Sequence, residues 1–474
     1  MKINLINFIN NKKKKSVNKN IFTIKTVIKI FIIIIIILFL NMKIHKKITS
    51  ELNKYYRQIQ RNINLKFNNN LKDKIKIGIY TYSFKNGGLQ KLTSLILKYF
   101  HNIKIYDIYI FTIKGKEDNE YIIPQNVKRI IIKKPRLENL INQINNNKID
   151  ILIYNFFNST EIEILNQFKN TKIIFYIHQS IFYWIYLNYF LFKSLYTAYQ
   201  KSKYIISLVP FENDYLFPKW GIRSILMNNF ISYEFNEIIP SDLSSKIILM
   251  IGRAEDKLKR FELGIKAMKY IIKEIPNSEM KIISALKPRQ LKSLVGFLNL
   301  TNNIRFTGYS NRPEIYFKNA SLHIFPSISE SFGLVLCETK IYGIPNILVG
   351  IDYLTIQKGG TIVIYDDNPE SIAVEAIKIL KNYKIRKQLG ENARNSMKVF
   401  KNELIVKKWN KIFLSIYNGD NYYQNLRKRD IKISEKSAME ILNNQLNLLK
   451  IRTNKFVTTK VNDFFNFSYL EKFE

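Results

Sequence analysis

Short runs of β-branched and aromatic residues alternate along this chain with segments of helical periodicity, and the alternation starts twice. The first series opens at Ile75-Lys76-Ile77-Gly78-Ile79-Tyr80. It passes a Gly87-Gly88 turn and continues through Leu92, Leu95, Ile96, Tyr99 and Phe100 at helical spacing. Further strand-like runs fall at 105–112, 127–132, 151–154, 173–177 and 204–209, with helical patterns between several of them, such as 137–147. A polar stretch at 231–245, containing Pro240, interrupts the pattern. It restarts at Ile247-Ile248-Leu249-Met250-Ile251, ending in Gly252. A helix at 261–275, strands at 280–284 and 304–308, a helix near 312–319, a strand at 322–325, a helix at 333–342 and a strand at 346–349 follow. Parallel strands need a crossover long enough to hold a helix, so this alternation predicts parallel sheets with helices on both faces. Two such series predict an α/β chain of two doubly wound, Rossmann-like domains facing across a cleft. Ligands then bind outside the carboxyl ends of the strands, and the polar stretch serves as the hinge.

Composition excludes several chemistries. A single cysteine, Cys337, permits neither an intrachain disulfide nor a cysteine-rich zinc site. Four histidines, His45, His101, His178 and His323, are too few and too scattered for a dedicated histidine cage, so no metal is expected. The net charge of +38 is compatible with nucleic acid or an anionic membrane as partner. The lysines are spread through a chain saturated with Lys, Asn, Ile, Tyr and Phe, which favours a compositional background. Neither a helix-turn-helix nor a zinc or RNA-binding aromatic motif accompanies them, so no nucleic-acid partner is expected.

Residues 1–50 carry lysines but no Asp or Glu. Lys12-Lys13-Lys14-Lys15 precedes an apolar run at 30–40 that includes six consecutive isoleucines, 32–37. Extended to 26–42, the segment reaches the lower limit of a membrane-spanning helix, about 17 residues. Lys29 lies near one end, where its stem can snorkel. A cleaved signal peptide is the competing reading, but Asn41-Met42-Lys43-Ile44-His45 offers no pair of small residues for cleavage. The lysines before the run favour a cytosolic amino terminus, and Lys43, Lys46 and Lys47 beyond it weaken that bias. The simplest arrangement is a single-pass type II protein of the endoplasmic reticulum or Golgi. Asn158-Ser159-Thr160, Asn299-Leu300-Thr301 and Asn466-Phe467-Ser468 would then match the pattern of glycosylation acceptors.

The most specific segment is Pro326-Ser327-Ile328-Ser329-Glu330-Ser331-Phe332-Gly333-Leu334-Val335-Leu336-Cys337-Glu338, continuing to Gly343-Ile344-Pro345. A helix opening directly after a strand and loop presents backbone N–H groups without internal partners, which suits an anion or a sugar hydroxyl. With its two glutamates at this spacing, the segment resembles the GT-B glycosyltransferases of family 4 (the glycosyl transferases group 1 type). The resemblance extends over roughly 77–417. It implies that Glu330 contacts the donor sugar, that Glu338 contacts the ribose, and that Ser331, Phe332, Gly333 and Leu334 complete the donor loop. Gly252-Arg253-Ala254-Glu255-Asp256-Lys257-Leu258-Lys259-Arg260 resembles the family's Gly-Arg followed six residues later by Lys. Arg253 and Lys259 would then grip the donor diphosphate, with Lys257 and Arg260 close enough to leave the register open. Gly87 and Gly88 resemble the family's Gly-Gly loop, although Gln90 stands where an acidic residue is usual. Tyr176-Ile177-His178-Gln179 ends a strand, and by resemblance His178 faces the donor sugar across the cleft.

Two departures from the family pattern stand out. Met227-Asn228-Asn229 replaces the usual Pro-Asn-Gly at the linker, where Asn229 tolerates a left-handed backbone. Gly350-Ile351-Asp352-Tyr353 lacks the usual Gly-Gly, while Gly359-Gly360 and Asp366-Asp367 suit the family's later loop.

The expected organisation is a basic tail (1–25), an anchor (26–42), a stem (43–73), an acceptor-side domain (74–235) and a nucleotide-sugar domain (236–400). A crossover helix (401–417) and an extension (418–474) follow. The resemblance implies a retaining transferase that moves a sugar from a nucleotide diphosphate sugar to a glycan, lipid or protein acceptor, without a metal or other cofactor. The alternative is an inactive sugar- or nucleotide-binding membrane protein of the same fold.

Overall fold

The computed structural model describes residues 74–419, apart from 86, 119, 188, 234, 236–237, 285–287, 311 and 355–356, together with residues 433–453. The basic tail, the anchor at 26–42, the stem and Asn466 lie outside the described residues. Among the described residues no helix is long and apolar enough to cross a membrane.

The first half runs β1 (Ile75–Thr81), α1 (Gly88–Phe100), β2 (Tyr106–Thr112), β3 (Lys128–Ile131), α2 (Arg136–Asn147), β4 (Ile151–Tyr154), α3 (Ser159–Leu165), β5 (Lys172–Tyr176), α4 (Ile181–Leu187), α5 (Tyr189–Gln200), β6 (Tyr204–Ser207) and β7 (Ile225–Leu226). The strands form one sheet in the order β3-β2-β1-β4-β5-β6-β7, every pair parallel. The central strands β4, β5 and β6 are almost wholly buried, as expected where helices cover both faces of a sheet.

The second half runs β8 (Ile247–Ile251), α6 (Phe261–Glu274), β9 (Glu279–Ile283), α7 (Arg289–Phe297), β10 (Ile304–Gly308), α8 (Glu314–Phe317), β11 (Leu322–Phe325), α9 (Leu334–Ile341), β12 (Asn346–Val349), β13 (Thr361–Ile364), α10 (Pro369–Lys381) and α11 (Tyr383–Ser396). Its sheet has the order β10-β9-β8-β11-β12-β13, again all parallel. Ile248, Met250, Met280, Ile282, Ile324 and Ile347 pack against Ile265, Met268 and Ile271 of α6 and Ile372 and Ala376 of α10.

Both sheets therefore reverse strand order at one place, between β1 and β4 and between β8 and β11. The loops leaving those strands diverge and open a crevice there. The edge strands β7 and β13 were not expected from sequence. β7 has two residues, too few to signal a strand, whereas β13 is the partly buried β-branched run Thr361-Ile362-Val363-Ile364, as long as β11 and β12.

The chain passes between the halves twice, at the linker and at α12 (Asn402–Asn418). The Asn402 side chain ties these passages together: Oδ1 accepts from the Ile231 N–H at 2.9 Å, and Nδ2 donates to the Ile231 carbonyl at 3.0 Å. Along α12, Trp409 lies 5.5 Å from Tyr176, Phe413 lies 5.5 Å from Phe100, and Asn410 accepts from the Tyr106 hydroxyl at 2.5 Å. The helix thus belongs to the first half's core although it follows the second in sequence. Beyond it, α13 (Glu435–Thr453) is a further helix within the extension.

Asn229 does not adopt the left-handed backbone that its place in the linker suggested. Its buried side chain instead accepts a hydrogen bond from the Tyr176 hydroxyl at 2.6 Å, which fixes the linker to the end of β5.

Candidate active site

The sequence-derived residues gather where the switch points lead. Gly252 and Arg253 leave β8, and the 326–333 loop leaves its neighbour β11. Asp256 caps a single turn of 3-10 helix at Lys257–Lys259, its Oδ1 accepting from the Leu258 N–H at 3.0 Å. That turn delivers Lys259 to Glu330, and the two side chains form an ion pair. They are 21% and 15% exposed, so both remain open to the crevice. The Lys259 ammonium also lies 5.7 Å from the centre of the Phe325 ring at the end of β11. The backbone N–H of Glu330 donates to the Tyr353 hydroxyl at 3.1 Å, which sets the loop's height above the sheet.

The structure gives the three cations whose register the sequence left open different surroundings. Lys257 is exposed, Lys259 meets Glu330, and Arg260 is buried with its Nε donating to the Pro326 carbonyl at 2.7 Å. The Arg253 side chain is turned to solvent, 72% exposed, and pairs with Asp256 at 2.7 Å, the carboxylate three residues away. Arg253 and Asp256 both act on the phenol of Tyr183. Burial and Asp256 raise its pKa and Arg253 opposes them.

Gly333 takes a left-handed conformation (φ 79°, ψ 64°) to turn the loop into α9. Phe332 points inward, 2% exposed, and its ring packs 6.1 Å from that of Phe400. It supports the loop from beneath, so only its backbone is available to a donor. Ser331 and Leu334 are partly exposed.

The first half meets this loop with its own glycine turn. Gly87 caps α1 at φ 151°, and a Cβ there would lie 2.2 Å from the Gln90 amide oxygen. A Cβ on Gly88 would lie 3.7 Å from Cδ1 of Leu334, so the two loops face each other at van der Waals distance. One turn into α1, Lys91 reaches across and forms an ion pair with Glu338 of α9. Glu338 is 4% exposed and also accepts from Ser232 Oγ of the linker at 3.0 Å. Ser180 Oγ lies 3.0 Å from Ser329 Oγ, closing the crevice on the other side.

His178 follows β5. Its Nε2 lies 2.8 Å from Asn155 Oδ1, and the Asn155 amide donates to the Tyr80 carbonyl at 3.1 Å. That arrangement assigns the proton to Nε2 and leaves Nδ1 as an acceptor. Burial pushes the imidazole down to about 3, so the ring is neutral in the physiological range.

Lys91, Ser232, Asn155 and Tyr353 were not singled out from sequence. Lys91 lies 247 positions from Glu338, and no local pattern distinguishes it from the chain's other lysines.

Residues 233–396 match the family model described as glycosyl transferases group 1. Over 192 residues the chain is 25% identical to an uncharacterized glycosyltransferase of Haemophilus influenzae, covering 38% of this chain and 54% of that protein. Over 181 residues it is 26% identical to the N-acetyl-alpha-D-glucosaminyl L-malate synthase of Bacillus anthracis, covering 37% and 47%. The chain thus spans about half the length of these two curated relatives. Among solved structures it is similar to a sucrose-phosphate synthase from Thermosynechococcus elongatus (TM-score 0.60, 16% identity, covering 73% of this chain and 100% of that one). It is also similar to Anabaena HepE in complex with UDP and glucose (TM-score 0.59, 14% identity, covering 72% and 100%). With the two parallel sheets, these likenesses establish the two-domain, Rossmann-like α/β fold of the GT-B type.

Proposed function

We propose that this chain is a glycosyltransferase that moves a sugar, with retention of configuration, from a nucleotide diphosphate sugar to a glycan, lipid or protein acceptor. The observation that carries this reading is the Lys259–Glu330 pair at the second sheet's switch point, opposite the Gly87-Gly88 turn. A cation and a carboxylate held side by side suit the two ends of such a donor, the anionic diphosphate and the hydroxylated sugar.

In this reading Lys259 binds the diphosphate and Glu330 turns its oxygens to sugar hydroxyls. Arg253 swings from Asp256 onto the phosphates. Glu338 exchanges Lys91 and Ser232 for the ribose hydroxyls. Gly88, Gly252, Ser331 and the backbone of 332–334 line the donor, and neutral His178 faces the sugar. The bond between the anomeric carbon and the phosphate oxygen breaks, and its electron pair leaves with the diphosphate. The acceptor hydroxyl oxygen bonds to the same carbon, and its proton passes to the departing phosphate oxygen. Negative charge therefore grows on the diphosphate, where fixed cations stabilise the transition state more than the ground state. Two lysine or arginine charges supply that role without a metal or cofactor. The apolar segment at 26–42 supports a single-pass anchor in the endoplasmic reticulum or Golgi, and the UDP and glucose in HepE support UDP as a donor nucleotide.

The test is release of UDP or GDP when the full chain is incubated with UDP- and GDP-sugars and a panel of acceptors. Release from one donor supports the reading. Binding without release would support the inactive sugar-binding alternative, and neither binding nor release would refute both.

A further inference from the structure

The extension beyond the matched family segment reaches the donor loop. In α13, Ala438, Leu442, Leu446 and Leu449 are buried at 0–1% exposure, so the helix is packed along its length. At its amino end Glu435 accepts from the Tyr215 hydroxyl and the Lys219 ammonium, both at 3.1 Å, in the first half of the fold. Further along, Gln445 donates to the Gly350 carbonyl and, at 2.9 Å, to Asp352 Oδ1. Gly350 lies so close that a Cβ there would fall 2.4 Å from Leu448 and 2.8 Å from Arg452 Nη2. The loop after β12 is therefore shaped to receive this helix, and its Tyr353 is the residue that accepts from the Glu330 N–H.

The last turn of α13 inserts Arg452, whose side chain is 2% exposed. Its guanidinium holds Asp367 (Nε to Oδ2 at 3.1 Å, Nη2 to Oδ1 at 3.1 Å) and reaches the carbonyls of Ile328 and Val349 at 3.3 Å each. Asp367 is gripped from the other side by Arg260 at 2.5 Å, and Arg260 holds the Pro326 carbonyl. Two arginines thus share one aspartate, and each fixes one carbonyl of the loop that ends in Glu330. Arg260 is also the residue directly after Lys259. Burial and then the second arginine pull Arg260 down to about 10. Burial pushes Asp367 up, but Arg452 and Arg260 outweigh that and hold it below its usual range.

We propose that Arg452 is a positioning residue of the donor site: with Arg260 and Asp367 it holds the 326–330 loop so that Glu330 meets Lys259. The inference rests on the donor-site reading above and adds that the carboxyl-terminal extension completes that site. A guanidinium satisfies a carboxylate and two carbonyls at once because its five donors lie in a fixed plane, and a lysine cannot do the same.

The experiment is titration of the full chain with UDP and with GDP, followed by donor and acceptor kinetics, for wild type, Arg452→Ala and Arg452→Lys. We expect Arg452→Ala to weaken nucleotide affinity and raise donor KM about tenfold or more, with acceptor KM unchanged. Arg452→Lys should be intermediate, and added guanidinium should restore part of the affinity of Arg452→Ala. Folded Arg452→Ala with wild-type affinity and donor KM would overturn the proposal. So would a fall in melting temperature with unaltered affinity and no rescue by guanidinium. Where Arg452→Ala does not fold, Arg452→Lys is judged by the same criteria, and failure of both to fold would assign the arginine to stability alone. Wild type that binds neither nucleotide would overturn the donor-site reading itself, whereas wild-type binding that the variants leave unmoved overturns only the role of Arg452.

Discussion

Replacing Lys259 by Met is the sharpest test of the donor site. The change keeps most of the aliphatic stem and removes the ammonium that pairs with Glu330 and lies 5.7 Å from the centre of the Phe325 ring. Lys259 and Glu330 are mostly but not wholly covered, at 21% and 15% exposure, so an effective dielectric near 20 is appropriate. Two unit charges about 4 Å apart then attract by about 4 kcal/mol. Solvation of the separated charges cancels much of this, and a hydrogen bond to a charged group typically retains about 1.5–3 kcal/mol. If that interaction is made to the departing diphosphate, its loss lowers kcat/KM about tenfold to a hundredfold. The assay is nucleoside diphosphate release under saturating acceptor, with Lys259→Arg as the charge-retaining comparison. The reasoning fails if folded Lys259→Met turns over within about twofold of wild type, because the charge would then contribute almost nothing at the transition state.

Other consequences concern stability and reactivity. Glu212 is fully buried, with Oε1 accepting from the Ile181 N–H at 2.6 Å and Oε2 unpartnered, and burial pushes its carboxyl up to about 8. Between pH 4.5 and 8 the unfolded chain releases this proton while the folded chain keeps it, so the group's contribution to stability falls as pH rises through that window. Glu212→Gln should therefore flatten the decline in melting temperature between pH 5 and 8, and an unchanged slope would contradict the assignment. Asn402→Ala strips both hydrogen bonds from Ile231 at the double crossing of the chain. An unsatisfied buried polar group costs about 1–3 kcal/mol, so denaturant titration should show a loss of at least that size. Cys337 is 0% exposed and burial pushes its thiol up, so the folded protein should resist thiol reagents and label only when denatured. Stoichiometric labelling of the native chain would contradict its burial.

The glycine turns and the β-branched runs announce both sheets in the sequence, because short-range periodicity reports which faces of a strand or helix are covered. Gly252 at the end of β8 and the loop after β11 that carries Glu330 could be placed on that basis alone. A strand of two residues carries no such signal, which is why β7 emerges only in three dimensions. Side-chain direction was likewise beyond reach. Phe332 turned into the core and Arg253 toward its local carboxylate, since each takes the nearest favourable environment once the backbone is set.

The amino-acid order by itself determined most of the elements, their class and the loops assigned to the proposed donor site, since these follow from contacts among residues a few positions apart. Only the tertiary structure decided which charges meet. Lys91 reaches Glu338, and Arg452 joins Asp367 and the donor loop, across hundreds and scores of intervening residues. The first pair forms because the switch-point loops of the two sheets face each other, and the second because α13 packs on the loops after β12 and β13; both juxtapositions are properties of packing rather than of any local pattern.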